Sequence, residues 1–139
     1  MTRDEVLAFL ADRQKAWEAR DPAALARFHH QECVVESPIF GTVARRDAIE
    51  VSYRELFHVF EDWTLTGHEI IVDGDRAVQL FSVHATHSRE MFGVSATHRR
   101  FEIRGALVIT FRDGLIGHER RIYDFTGMLI QLGVIKPKL

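Results

Sequence analysis

Tyr123-Asp124-Phe125-Thr126-Gly127-Met128-Leu129-Ile130-Gln131-Leu132-Gly133 closes an alternating, strand-like run with a carboxylate and then turns into a short apolar helix. An acid at the end of a buried strand, under an apolar segment, is a candidate proton carrier in a dry pocket. Two roles for Asp124 follow. As a general acid/base it would take an activated proton beside a carbonyl and return one to the new oxygen, with burial raising its pKa toward the useful range. As a helix N-cap it would accept from the first turn of the helix that starts at Phe125. The residues alone leave both open.

Upstream of this segment, four stretches rich in Val, Ile, Thr and Phe read as strands: Trp63–Val72, Arg76–His87, Arg99–Arg112 and Leu115–Tyr123. Asp73-Gly74-Asp75 and Arg112-Asp113-Gly114 supply hairpin turns between them. The first half is different in kind. Thr2 and Glu5 have capping-box spacing, and Val6, Leu7, Leu10 and Trp17 recur at helical intervals behind them. Asp21-Pro22 reads as an N-cap with proline at the first helical position, opening a short helix through Phe28. Cys33–Ser37 is a short strand ended by Pro38 and the turn at Gly41, and residues 47–60 form a third helix. Helices first and an antiparallel meander second predict an α+β fold. Long strands bending around helices enclose a cavity.

The 139 residues suit one domain, 1–139, with no repeat or linker. A net charge of −2 offers no electrostatic case for nucleic acid or an anionic membrane. Cys33 is the single cysteine, which excludes an internal disulfide and fits a reducing compartment. The opening MTRDEVLAFLADRQ has no long apolar core, and no run approaches the roughly 18 apolar residues of a membrane span, so a cytoplasmic location is expected.

The run Phe92-Gly93-Val94-Ser95-Ala96-Thr97-His98-Arg99-Arg100-Phe101-Glu102 resembles the loop-to-strand motif of SnoaL-like polyketide cyclases, and Asp124, Leu129, Gln131, Leu132 and Gly133 resemble that family's closing pattern. Trp17 with Asp21, Phe60 with Asp62-Trp63, and Asp113-Gly114 fall where the family places similar residues. The resemblance implies the cone-shaped fold of nuclear transport factor 2-like proteins, with three N-terminal helices packed on a strongly curved antiparallel sheet around a deep pocket. It also implies a homodimer through the outer sheet face. Two departures stand out: the family's glycine after Ala-Thr is His98, and its Gly-Thr-His reads Ala85-Thr86-His87. Ketosteroid isomerases of the same fold carry a catalytic aspartate where this chain has Ser37, and an oxyanion acid near Leu107. Isomerase chemistry by that route is therefore not expected.

Asp124, His87 and Arg120 are the candidate catalytic residues. His87, in a buried strand, would polarise a carbonyl or hold a water, or would be a hydrogen-bonded core histidine. Arg120 and Arg121 straddle the two faces of one strand, and in an unbroken strand Arg120 shares the side of His118, Ile122 and Asp124. Arg120 is therefore the guanidinium expected to point inward. Candidate substrate contacts are Trp17, Ser37, Phe40, Phe60, Trp63 and His118, with most of the aromatics core by default. His84 and His87, three apart on a strand, face opposite ways, and His29-His30 sits at a helix end without a second cluster, so no metal site is expected. No phosphate loop or nucleophile elbow is present, so neither a nucleotide cofactor nor covalent catalysis is expected.

The expectation is a cofactor-free enzyme that closes a ring in a hydrophobic carbonyl compound such as a polyketide ester, by aldol-type acid/base chemistry. Two alternatives accompany it. An epoxide hydrolase of this fold needs two carboxylates and an arginine around one water, which only Asp124, Glu36 and Arg120 could supply. A non-catalytic small-ligand-binding or dimerisation module requires Asp124 to be only a helix cap and the cavity to be narrow.

Overall fold

The computed structural model describes residues 1–137, and its elements follow the local chemistry closely. Helix α1 (Arg3–Ala19) opens on a complete capping box between Thr2 and Glu5. It buries Val6, Leu10, Arg13, Ala16 and Trp17, a stripe at 3–4-residue spacing with an arginine in its middle. Helix α2 (Pro22–Ala26) starts on the Asp21 cap, with proline in its first turn. Helix α3 (Arg46–Val59) turns Ile49, Ser52, Tyr53 and Leu56 inward.

The strands are β1 (His29–Ser37), β2 (Gly41–Ala44), β3 (Thr64–Asp73), β4 (Arg76–Thr86), β5 (Arg100–Arg112) and β6 (Leu115–Tyr123), followed by α4 (Phe125–Gln131). They form one sheet in the order β2-β1-β6-β5-β4-β3. The meander β3-β4-β5-β6 is antiparallel as the hairpin turns predict, but β1 joins β6 in parallel. The sheet curves without closing, and α1 and α3 lie against its concave face. The α+β cone is thus present, closed by the expected short helix α4, with one parallel joint and the short strand β2 added to the expected frame.

One irregularity decides which side chains face inward. On β5, Thr110 and Phe111 are neighbours, yet their partners on β6 are His118 and Ile116. Gly117 is therefore an extra residue, a bulge that reverses side-chain parity in the middle of β6. Any side chain there would collide, since a Cβ on Gly117 would lie 2.8 Å from that of Arg112. Ile116 points into the core before the bulge; after it the inward residues are Glu119, Arg121 and Tyr123. His118, Arg120 and Ile122 face out.

Candidate functional site

Inside the cone, α1, α3 and the inner sheet face enclose a narrow cleft walled by Trp17, Ile39, Phe40, Leu56, Trp63 and Leu107, among others. Its free space is only about 20 Å³, room for one compact polar group. Ile39, Phe40 and Leu56 also wall a much larger cleft of about 550 Å³ at the mouth, which adds Phe60, Met91 and Phe92. The large cleft is of small-molecule size and the narrow one lies directly behind it.

A buried polar network stands at the inner end. Arg13 and Glu119 pair with Nη1–Oε1 at 2.6 Å and Nη2–Oε2 at 3.0 Å. Arg121 donates from Nε to Glu119 Oε2 at 2.7 Å and from Nη2 to the Tyr53 hydroxyl at 2.9 Å. Tyr53 also accepts from Arg13 Nη2 at 3.1 Å, which leaves its own proton for His29 Nε2 at 2.7 Å. His29 Nδ1 then faces Cys33 Sγ at 3.3 Å. Both guanidiniums lie over the Trp17 ring, at 5.6 Å for Arg13 and 5.8 Å for Arg121.

Burial works against every charge here, and the pairing decides the outcome. Burial pushes the Glu119 carboxyl up, but Arg13 and Arg121 together hold it well below the usual carboxylate range. Burial likewise opposes the charge on Arg13, yet Glu119 and Tyr53 keep its pKa above the ordinary value. His29 has no such compensation: burial first, then the nearby arginines, lowers it to about 3 against the pull of Glu119. It is neutral at pH 7. Burial also pushes the Cys33 thiol up to about 12. Two guanidiniums against one carboxylate leave one net positive charge in the core, and Arg121 carries it to the cleft wall.

The expected site residues divide by this geometry. Trp17, Ser37, Phe40 and Trp63 line the inner cleft and Phe60 the mouth. Leu107 and Ser37, at the positions of the isomerases' acids, both line the inner cleft. Arg120 and His118 are turned the other way, which corrects the expectation of an inward Arg120. Both bind Glu36 on the outer face, at 3.1 Å from Arg120 Nε and 2.7 Å from His118 Nε2. The Gly117 bulge precedes His118–Asp124 and leaves their shared parity intact; the expectation fails because Asp124, which anchored it, is an exposed helix cap and not an inward acid. Arg121 is the inward guanidinium. Asp124 is exposed at the N-cap of α4 and accepts from Gly127 N–H at 2.8 Å. Its carboxylate occupies the space a Cβ on residue 127 would need. Glu36 and Arg120 therefore meet across the sheet from the cleft, and Asp124 bonds to neither.

His87, just past β4, is fully buried. Its Nδ1 accepts from the Thr97 backbone N–H at 3.2 Å, so the neutral ring carries its proton on Nε2, which is buried without a partner among the described residues. Burial lowers its pKa. It packs against Phe60 with ring centroids 6.2 Å apart rather than on the inner cleft wall. His98, where the family has glycine, sits at φ +57°, a left-handed position that glycine takes without strain. Among the described residues no group of three or more His, Cys, Asp or Glu is arranged to hold a metal ion. No helix among the described residues is long and apolar enough to cross a membrane.

The sequence reading passed over Arg13, Tyr53, Glu119 and Arg121 as site residues. Two signals were available. Arg13 falls on the apolar stripe of α1, three residues after Leu10 and four before Trp17. A lone glycine inside the β6 pattern marks a bulge.

A curved, unclosed sheet wrapped by helices is the fold of nuclear transport factor 2-like proteins. The sequence pattern of the SnoaL-like polyketide cyclases matches residues 8–132, and the chain belongs to that family. Among solved structures it is similar to TsrD from Streptomyces laurentii, at 24% identity and a TM-score of 0.84 over 97% of this chain and 99% of that one. It is also similar to IdmH from Streptomyces antibioticus, a candidate polyketide cyclase, at 28% identity and a TM-score of 0.75 over 91% and 96%. AclR from Streptomyces galilaeus, a candidate hydroxylase, aligns at 22% identity and a TM-score of 0.83 over 99% and 90%. Among functionally curated proteins none matches significantly.

Proposed function

We propose that this chain is a cofactor-free enzyme of the polyketide cyclase type that promotes aldol-type ring closure in a hydrophobic carbonyl compound. The observation that carries this reading is Arg121, a buried and fully ionised guanidinium held by Glu119 and Tyr53 on the wall of an apolar cleft. The substrate's apolar body occupies the mouth cleft and its carbonyl end reaches the inner one. A methylene between two carbonyls loses its proton readily once a cation holds the resulting enolate, and a fixed guanidinium in a dry site does this without reorganisation. The enolate carbon then attacks the distal carbonyl. Tyr123, on the same wall and kept protonated by burial, is placed to donate to the alkoxide that forms, and solvent at the cleft mouth returns to it the proton lost from the methylene.

Asp124 keeps its place at the cap in this scheme, and the proton acceptor is solvent at the cleft mouth. The test is turnover of a linear poly-β-ketone ester by the wild type and by Arg121→Gln. Loss of one preorganised electrostatic donor lowers kcat/KM by about 10²–10³-fold. Unchanged turnover in a folded Arg121→Gln protein removes the proposal.

A second reading, a non-catalytic binder of small hydrophobic molecules, is favoured by the narrowness of the inner cleft and by Asp124 serving as a cap. It predicts binding of the same ester with no product. Under either reading a second copy of the chain is the partner proposed for the outer sheet face. There Leu80, Ala106 and Ile122 stand side by side across three strands, with Ile122 56% exposed.

A further inference from the structure

The polar groups on the inner cleft wall are matched to one kind of ligand. Arg121 uses Nε and Nη2 on Glu119 and Tyr53, which leaves Nη1 without a partner among the described residues. Trp63 is only 5% exposed, lines the same cleft, and its Nε1–H has no hydrogen-bond partner among them either. An indole N–H and a guanidinium donate and never accept. Ser37 Oγ already accepts from Phe40 N–H at 3.1 Å, so its remaining proton is a third donor. Glu119 is fully buried and already paired with two arginines. A buried donor left unpaired is costly, and burying a ligand donor against these groups would leave both sides unsatisfied.

We infer that the inner cleft selects a compact, planar monoanion with two acceptor oxygens, either a carboxylate or an ionised β-dicarbonyl, at the end of a hydrophobic body. Three independent features agree. The donors lack any free acceptor among them. The network behind them carries one uncompensated positive charge that an anion would neutralise. The inner space, about 20 Å³, admits a small head but no ring, whereas the mouth cleft of about 550 Å³ takes the body. A neutral ester fills the same space but leaves that charge unmatched. This inference rests on the reading that the two clefts form the ligand site.

The test compares 4-phenylbutanoate, its methyl ester and the corresponding alcohol by calorimetric titration at pH 7. The carboxylate is expected to bind at least ten-fold more tightly than the ester, and the alcohol most weakly. Benzoylacetone, titrated alongside, distinguishes a β-dicarbonyl preference from a carboxylate preference. Arg121→Gln is expected to abolish the acid-over-ester margin. Arg120→Gln, the same charge change on the outer face, is expected to keep it. Trp63→Phe, which removes only the N–H donor, should weaken the carboxylate three- to ten-fold and leave the ester unchanged; this variant and the wild-type comparison decide the matter if Arg121→Gln does not fold. Equal binding of acid and ester, or equal effects of the two arginine variants, overturns the anion selection while the hydrophobic site stands. Absence of binding by every probe overturns both.

Discussion

Arg13 of α1 and Glu119 of β6, 106 residues apart in the chain, meet in the core at 2.6 Å with side chains 1% and 0% exposed. The pair ties the first helix to the inner sheet face, and Arg121 binds the same carboxylate from the neighbouring inward position. Glu119 is therefore the single counter-charge for two buried cations. Removing one partner of a buried pair strands the other without solvent or compensation. Glu119→Gln is expected to lower unfolding free energy by about 3–5 kcal/mol in urea titrations. A loss below about 1 kcal/mol would mean that water reaches the network.

The same network predicts an acid-labile fold. His29 has an ordinary pKa of 6.5 in the unfolded chain and about 3 in the folded one. Between those values the unfolded state binds more protons, so stability falls as pH falls. The contribution is complete above pH 6.5 and is lost progressively down to about pH 3, at about 1.4 kcal/mol per pH unit. Glu119, also held below its ordinary value, adds to the loss below about pH 4.5. Urea midpoints measured from pH 7 to pH 4 should decline steadily, and His29→Gln should flatten that decline. A wild-type profile flat between pH 6.5 and 5 would contradict a buried, neutral His29.

Asp124 offers a clean separation of capping from chemistry. Asp124→Ala removes the acceptor for Gly127 N–H and is expected to cost about 1 kcal/mol, read from the urea midpoint. Asp124→Asn retains an acceptor oxygen and should stay within a few tenths of a kcal/mol of the wild type. Equal losses in the two variants would show that the carboxylate's charge, not its cap bond, holds the end of α4.

The bulge at Gly117 makes its own prediction. Gly117→Ala forces a Cβ against Arg112 and strains the turn of β6 that aims Glu119 and Arg121 inward. A destabilisation of about 1–3 kcal/mol is expected, as for other overpacked sites. Deleting Gly117 would remove the extra residue and restore unbroken alternation with Ile116, Glu119 and Arg121 still on the inner face, so the deleted chain should fold and keep the buried network. A deletion variant that folds but no longer binds ligand would contradict the parity argument.

The frame of this protein was legible because its signals are local. The Thr2–Glu5 capping box, Asp21-Pro22, the two hairpin turns and the Asp124 cap each specify their own few residues, and each is found where the pattern places it. The parallel joint between β1 and β6 was not legible, because it pairs segments more than 80 residues apart with no turn between them. The apolar wall of the site, Trp17, Phe40, Phe60 and Trp63, was readable from composition and helical spacing. Its charged end was not. Arg13, Glu119 and Arg121 read as solvated by default, since such residues are almost never fully buried unless paired. Their partners come from distant elements that only the fold brings together. Arg121 and not Arg120 is the inward cation because Asp124, which anchored the parity reading, is an exposed cap, and the Gly117 bulge keeps the true parity from being carried forward from Ile116.

The most direct measurement is kcat/KM for ring closure of a linear poly-β-ketone ester, compared between Arg121→Gln and Asp124→Asn after both are shown to be folded. Arg121→Gln should lose about 10²–10³-fold, and Asp124→Asn should stay within about two-fold of the wild type. A large loss in Asp124→Asn with Arg121→Gln unimpaired would contradict the account and return the chemistry to the aspartate at the end of β6.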